Sequence, residues 1–160
     1  LGKYAENTSV PSGRSREEIE RTLAKYGATQ FAYAWKEGQA LIGFVLNGKQ
    51  VRLILPLPDR ASREFTHTPG RGILRSPEQQ LAAYEQAVRQ RWRALALVIK
   101  AKLEAVESGI TMFEREFCPD IVLPDGRTVG DYILPQVEES YRTGVMPAML
   151  PALNSEEGTQ

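Results

Sequence analysis

The residues able to do chemistry in this 160-residue chain are few and scattered. Its one histidine, His67, stands between Thr66 and Thr68, and its one cysteine is Cys118. A thiol beside an imidazole makes a nucleophile and base, but no local motif joins these two, and His67 is read as a solvated side chain. Asp120, Asp125 and Asp131 offer oxygen ligands for magnesium. Yet Asp125 belongs to the Pro124-Asp125-Gly126 turn and Asp131 to a helix start, so no metal is expected there. A single histidine and a single cysteine also exclude the common structural zinc sites. The phosphate-binding patterns G-x-x-x-x-G-K-[ST] and G-x-G-x-x-G do not occur, nor do the nucleophile patterns G-x-S-x-G and Ser-x-x-Lys. No catalytic residue and no cofactor are therefore expected, and a hydrolase using Cys118 and His67 stands behind two non-enzymatic readings.

Positive charge is the chemistry that does cluster. Between Arg89 and Lys102 lie five basic residues (Arg89, Arg91, Arg93, Lys100 and Lys102) and no acid. A preceding stretch, 56–75, adds Arg60, Arg63, Arg71 and Arg75 against Asp59 and Glu64. Guanidinium and ammonium groups in such density can neutralise phosphates, so these nine positions form the candidate nucleic-acid surface. Basic residues can equally lay their methylene stems along the edges of an apolar stripe. The net charge of zero hides a division: residues 1–110 carry 17 Lys and Arg against 11 Asp and Glu, and residues 111–160 carry 3 against 9. That asymmetry fits an electrostatic partner, or a C-terminal third that folds back on a basic body.

These groups must be positioned by a small set of elements. The longest is a helix expected over 76–108. Ser76 is its N-cap, Pro77 its first residue and Gln79 the partner in an S-x-x-Q capping box, with Gly109 past its end. Leu81, Tyr84, Val88, Trp92, Leu95, Ile99, Leu103 and Val106 recur at helical spacing and form one apolar stripe. At 1.5 Å per residue it runs roughly 50 Å, so it either spans the whole body or projects toward a partner. Arg89, Arg93 and Lys100 fall on one flank of the stripe, with Arg91 and Lys102 on the other.

Upstream, a short helix is expected from Ser15 to Gly27 with Glu17 and Glu18 in its first turn. A three-strand meander follows, with turns at Glu37-Gly38 and Asn47-Gly48. Two-residue turns place Trp35 opposite Ala40, Tyr33 opposite Ile42, Phe31 opposite Phe44, Phe44 opposite Val51 and Ile42 opposite Leu53. One face is then wholly apolar and receives the long helix. The other carries Ala32, Ala34, Lys36, Gln39, Gly43, Gln50 and Arg52 with Leu41, Val45 and Ile54. It is read as solvent-facing, with a docking face as the alternative.

Stretch 56–75, rich in proline and glycine, reads as a long loop, functional or disordered. Thr111–Cys118 forms a further helical turn or two, and Ile121–Val129 a small hairpin. A last helix runs from near Gly130 to Arg142 with Tyr132, Ile133, Val137 and Tyr141 inward, Pro135 being tolerable only in its first turns. Met146–Leu153 is expected to lie against the body. The expected organisation is an irregular arm over 1–14, one α+β domain over 15–153 and a disordered tail over 154–160.

Hydrophobic content of 42% and charged content of 25% suit one folded domain. No apolar run has the length of a membrane span and no signal peptide opens the chain, so a cytoplasmic setting in a bacterial or phage-infected cell is expected. One cysteine fits a reducing compartment, and Leu1 in place of Met fits a processed or truncated start.

Several segments resemble a group of short uncharacterised proteins carried by bacteriophages and mobile elements. They are Tyr4–Pro11 with the R-S-x-x-E-I-E-x-x-L-x-x-Y-G-A pattern ending at Ala28, Leu55–Arg60, the R-Q-R-W-R-A-L of the long helix, and Leu123–Gly126. The resemblance implies a bacterial or viral setting and carries no catalytic residue or cofactor. The order helix, three antiparallel strands, helix is also similar in topology to double-stranded-RNA-binding domains and to single-strand annealing proteins, and topology does not determine function. The first functional reading is an accessory protein of phage or mobile-element DNA metabolism that touches DNA or RNA. The alternative is a non-enzymatic adaptor or inhibitor of a host defence system, meeting a protein through the long helix or the polar sheet face.

Overall fold

The computed structural model describes residues 13–36 and 38–148. Helix α1 (Gly13–Lys25) leads into strands β1 (Gln30–Lys36), β2 (Gln39–Leu46) and β3 (Lys49–Pro56). A short helix α2 (Arg63–Thr66), the long helix α3 (Pro77–Glu107), helix α4 (Phe113–Phe117), a 3-10 turn (Cys118–Asp120) and helix α5 (Val129–Thr143) complete the order. The expected α+β class and element order are those observed. Residues 1–12 and 149–160 lie outside the described residues, and with them the arm's first twelve residues, the tail and most of the Met146–Leu153 strip.

The meander is antiparallel in the order β1-β2-β3. Its register is the expected one: Trp35 opposes Ala40, Tyr33 opposes Ile42, Phe31 opposes Phe44, and Phe44 in turn opposes Val51. The β2–β3 turn needs two left-handed residues, and Asn47 (φ 52°) and Gly48 (φ 72°) supply them, Asn being among the few residues with a side chain that tolerate this region. Glu37 lies outside the described residues, but the Lys36–Gln39 pairing is that of a two-residue connection.

Helices α1 and α3 both cover the apolar face. Ile19 and Leu23 of α1 and Val88, Trp92, Ala96, Ile99 and Leu103 of α3 are buried with Ala40, Ile42, Phe44, Val51, Leu53 and Leu55. Trp92 sits near the centre, its ring 5.5 Å from that of Tyr33. Trp35, placed by the register on the same face, is 48% exposed because it stands near the end of edge strand β1.

Helix α3 starts with the expected capping box: Gln79 N–H donates to Ser76 Oγ at 3.3 Å, and Ser76 N–H donates to Gln79 Oε1 at 3.1 Å. Its 31 residues cover about 46 Å and do not overhang the body. The 56–75 segment folds under the N-terminal third, where the Phe65 ring meets Tyr84 edge-on at 5.6 Å, and Val106 still packs on the core near the other end. Helix α1 already includes Gly13 and Arg14, so the expected irregular arm is shorter than 1–14, and Glu17 and Glu18 lie beyond the first turn.

The acidic third does fold back. Three ion pairs join it to the basic part: Lys49–Glu114 at 2.9 Å, Arg52–Asp131 at 3.4 Å and Lys102–Glu116 at 3.1 Å. Ile121 bridges Val51, and Val122 N–H donates to the Gln50 carbonyl at 2.8 Å, so the segment after the 3-10 turn lies along the outer edge of β3. The same segment pairs with Thr128, as the expected hairpin requires.

Helix α5 departs from expectation at its C-terminal end, whereas Pro135, its seventh residue, stands in the second turn. The missing proline N–H leaves the Asp131 carbonyl without its helical donor. Arg127 Nη2 donates to that carbonyl at 3.2 Å, which is why proline is tolerated. Tyr141 is 89% exposed rather than inward, and Met146 is exposed as well, because α5 rests on the 3-10 turn through its N-terminal part. Gly130 is buried against Pro119 at that contact.

Candidate nucleic-acid interface

The nine candidate basic residues divide into groups with different employment. Arg91 Nη1 donates to the Pro56 carbonyl at 3.1 Å and so fastens α3 to the end of β3. Lys102 is partly buried; its Nζ donates to the Glu116 carbonyl at 2.9 Å and to Glu116 Oε1 at 3.1 Å, and lies 5.4 Å from the centre of the Phe117 ring. Arg89 pairs with Glu85 at 3.9 Å and donates to Gln86 Oε1 at 3.0 Å. These three stabilise α3 and its contacts. Arg93 and Lys100 are exposed, and among the described residues neither makes an ion pair.

The arginines of 56–75 are brought together by a loop that is more ordered than its proline and glycine content suggests. Asp59 Oδ1 accepts from Ala61 N–H at 2.9 Å, and α2 follows with Phe65 buried beneath it. His67 then pairs with Leu74 in an antiparallel bridge. Thr68 locks the returning strand: its N–H donates to the Ile73 carbonyl at 2.8 Å, and its Oγ1 accepts from Ile73 N–H at 3.0 Å. Arg75 spans back to α2, its Nη1 donating to the carbonyls of Glu64 at 3.1 Å and Phe65 at 3.4 Å. Arg60 lies over the Tyr84 ring at 5.9 Å. Among the described residues, Arg60, Arg63, Arg71 and Arg75 make no ion pair with a carboxylate.

Within this loop is a cavity of about 460 Å³ lined by Arg63, Glu64, His67, Thr68, Gly72 and Arg75, with Pro69 and Gly70 at its edge. Arg63 comes so close to Gly72 that a Cβ there would stand 3.1 Å from Arg63 Nη2, and Gly72 also has φ 63°. The cavity was not foreseen. A Gly-rich, Arg-rich loop with one histidine was the available signal, but its concavity depends on the 67–74 pairing, which no turn motif announces.

The other candidate groups are kept apart or already used. His67 belongs to the loop under Tyr84, whereas Cys118 follows α4, which packs near Lys102. Those two positions on α3 are about 27 Å apart along the helix axis, so a Cys–His pair does not form. Asp131 is the capping partner of Thr128; the Thr128 N–H and hydroxyl hold its carboxyl below the usual range, aided by Arg52 and Arg127. Asp125 accepts from the Tyr132 hydroxyl and the Arg127 N–H, which lower its pKa likewise. Asp120 is half-buried, and burial raises its pKa against the opposing charge of Lys102. The described residues contain no group of three His, Cys, Asp or Glu arranged to hold a metal. No helix among them is long and apolar enough to cross a membrane.

The face of α3 opposite the core carries Ala94, Leu97, Val98 and Ala101, all exposed, with Leu97 at 60%. On the outer sheet face Ala32, Ala34, Gln50 and Ile54 are exposed, and Leu41, Gly43, Val45 and Arg52 are half-buried. A scan of family models, a search of curated proteins and a search of solved structures each return no match to this chain.

Proposed function

We propose that the chain is a non-enzymatic, nucleic-acid-binding accessory protein, of the kind used in phage or mobile-element DNA metabolism. The observation that carries this reading is the placing of Arg60, Arg63, Arg71 and Arg75 on one ordered loop where, among the described residues, none forms an ion pair with a carboxylate. Unpaired guanidinium groups on a fixed backbone suit phosphate contact, each with paired N–H donors and a permanent charge. Arg93 and Lys100 extend the field along α3, whereas Arg91 and Lys102 serve the fold. Fluorescence anisotropy with short single- and double-stranded oligonucleotides across a salt series tests it. Four neutralised phosphates give a slope of log K against log salt of about −3.6 for duplex DNA and about −2.8 for single strands. Absence of binding to every strand type at low salt would end this reading.

A second reading, a protein-binding adaptor or inhibitor of a host defence system, is favoured by the exposed Ala94–Leu97–Val98–Ala101 face of α3. An apolar helix face at this spacing suits a partner helix or groove. Capture of one host protein that is lost on Leu97→Glu, with the fold retained by circular dichroism, would favour it over the first.

A further inference from the structure

We propose that the open pocket bordered by the 63–75 loop is a phosphate-monoester site, so that the protein engages the phosphorylated end of a strand rather than its internal backbone alone. This rests on the nucleic-acid reading for the identity of the ligand and on the cavity for its chemistry. At about 460 Å³ the space falls within the usual range for small-ligand pockets and exceeds what one phosphate group requires, leaving room for an attached sugar. Arg63, Arg75 and His67 line it, and among the described residues Glu64 is the one carboxylate facing them. A monoester presents three terminal oxygens and a charge of about −1.5 to −2, whereas an internal diester presents two free oxygens and one charge. Three converging donor groups with at least two positive charges match the former more fully.

The donors are held in place. Arg75 commits Nη1 to the Glu64 and Phe65 carbonyls, which fixes the plane of its guanidinium and leaves its other N–H groups for a ligand. The Arg63 guanidinium packs over the bare α-carbon of Gly72. His67 Nδ1 lies 2.9 Å from Thr66 Oγ1, which is itself 3.3 Å from the Ser62 carbonyl. With Nδ1–H donating to Thr66 Oγ1 and the threonine hydroxyl donating to the Ser62 carbonyl, the ring is held in place and Nε2 remains for a ligand. The Glu64 carboxylate opposes these donors and weakens the hold on an anion.

The test compares one oligonucleotide carrying a 5′-phosphate, a 3′-phosphate or hydroxyl ends, by anisotropy. It is paired with amide NMR of the full chain titrated with a nucleoside monophosphate and with inorganic phosphate. The expected result is at least about tenfold tighter binding of one phosphorylated end. Arg63→Gln should abolish that preference while weakening hydroxyl-ended strands only by the loss of one of the four phosphate contacts, and Glu64→Gln should enlarge the preference. Equal binding of all three ends by the folded wild-type protein overturns the inference and leaves the nucleic-acid reading standing. If no oligonucleotide binds but the nucleoside monophosphate shifts the Thr68, Gly70 and Gly72 amides, the strand-end assignment falls and the monoester site stands with a free nucleotide as its source. If neither binds, both proposals fail.

Discussion

Gly130→Ala turns the contact between α5 and the 3-10 turn into a question of sign. Within a helix, replacing glycine by alanine gains about 1 kcal/mol from backbone entropy and propensity. At position 130 the added Cβ would meet the Pro119 carbonyl oxygen at 2.8 Å and the Pro119 Cβ at 3.4 Å. Both contacts come from a short turn that also carries the Ile121 bridge to β3, so it has little freedom to retreat. Overpacking of this kind costs about 1–3 kcal/mol. The expected balance is a net loss of about 1 kcal/mol, which lowers a urea midpoint by about 0.5 M at an m-value near 2 kcal/mol/M. Equilibrium urea unfolding followed by tryptophan fluorescence measures it, with the m-value checked for constancy. A midpoint that rises on substitution would show that the close approach does not constrain this end of the molecule.

Other expectations follow from single contacts. Arg127→Met should destabilise by about 1–2 kcal/mol by leaving the Asp131 carbonyl without a donor. Most of that loss should vanish when Pro135→Ala restores the helical N–H, a coupling that a double-mutant cycle would read directly. Asp120, whose folded-state pKa is raised by burial, opposes folding once it ionises. Its cost is therefore absent below about pH 4 and grows as pH rises through the folded-state value. Asp120→Asn should raise the urea midpoint at pH 7 and change nothing at pH 3. Asp131 has the opposite sign: its pKa is lowered by the Thr128 hydrogen bonds, so its contribution is present above about pH 4 and is lost as pH falls. Asp131→Asn should flatten that part of the stability profile. Trp92→Ala, emptying the space between α3 and Tyr33, should cost about 3–5 kcal/mol in the same assay.

Legibility varied with how local the cause was. The strand register could be read because two short turns and a period-two pattern each specify it, and both agree. The start of α3 was legible because Ser76, Pro77 and Gln79 act on adjacent backbone. Ile121 beside Val51 was not legible, since a bridge between segments seventy residues apart has no local signature. The compensation at Pro135 was not legible for a different reason: the group that satisfies the freed carbonyl is a side chain, that of Arg127, whose direction the spacing does not specify. Among the basic residues the sequence shows charge but not employment. Arg91 and Lys102 look like Arg93 and Lys100 until the Pro56 and Glu116 carbonyls are placed beside them. Tyr141 follows the helical period, yet the period cannot say that among the described residues the body ends short of it.

The pairing of Ile121 and Val122 with β3 makes the two borders of the sheet unequal. Toward one end of β3 the Gln50 carbonyl is occupied by Val122, and at the other Pro56 has no N–H to offer while its carbonyl is held by Arg91. Strand β1 carries no such stop among the described residues. A sheet with two open borders can be extended from both sides without limit, the geometry that leads to fibres. With the β3 border interrupted at both ends, association through backbone pairing is favoured at β1, and a pair joined β1 to β1 presents only interrupted borders to a third molecule.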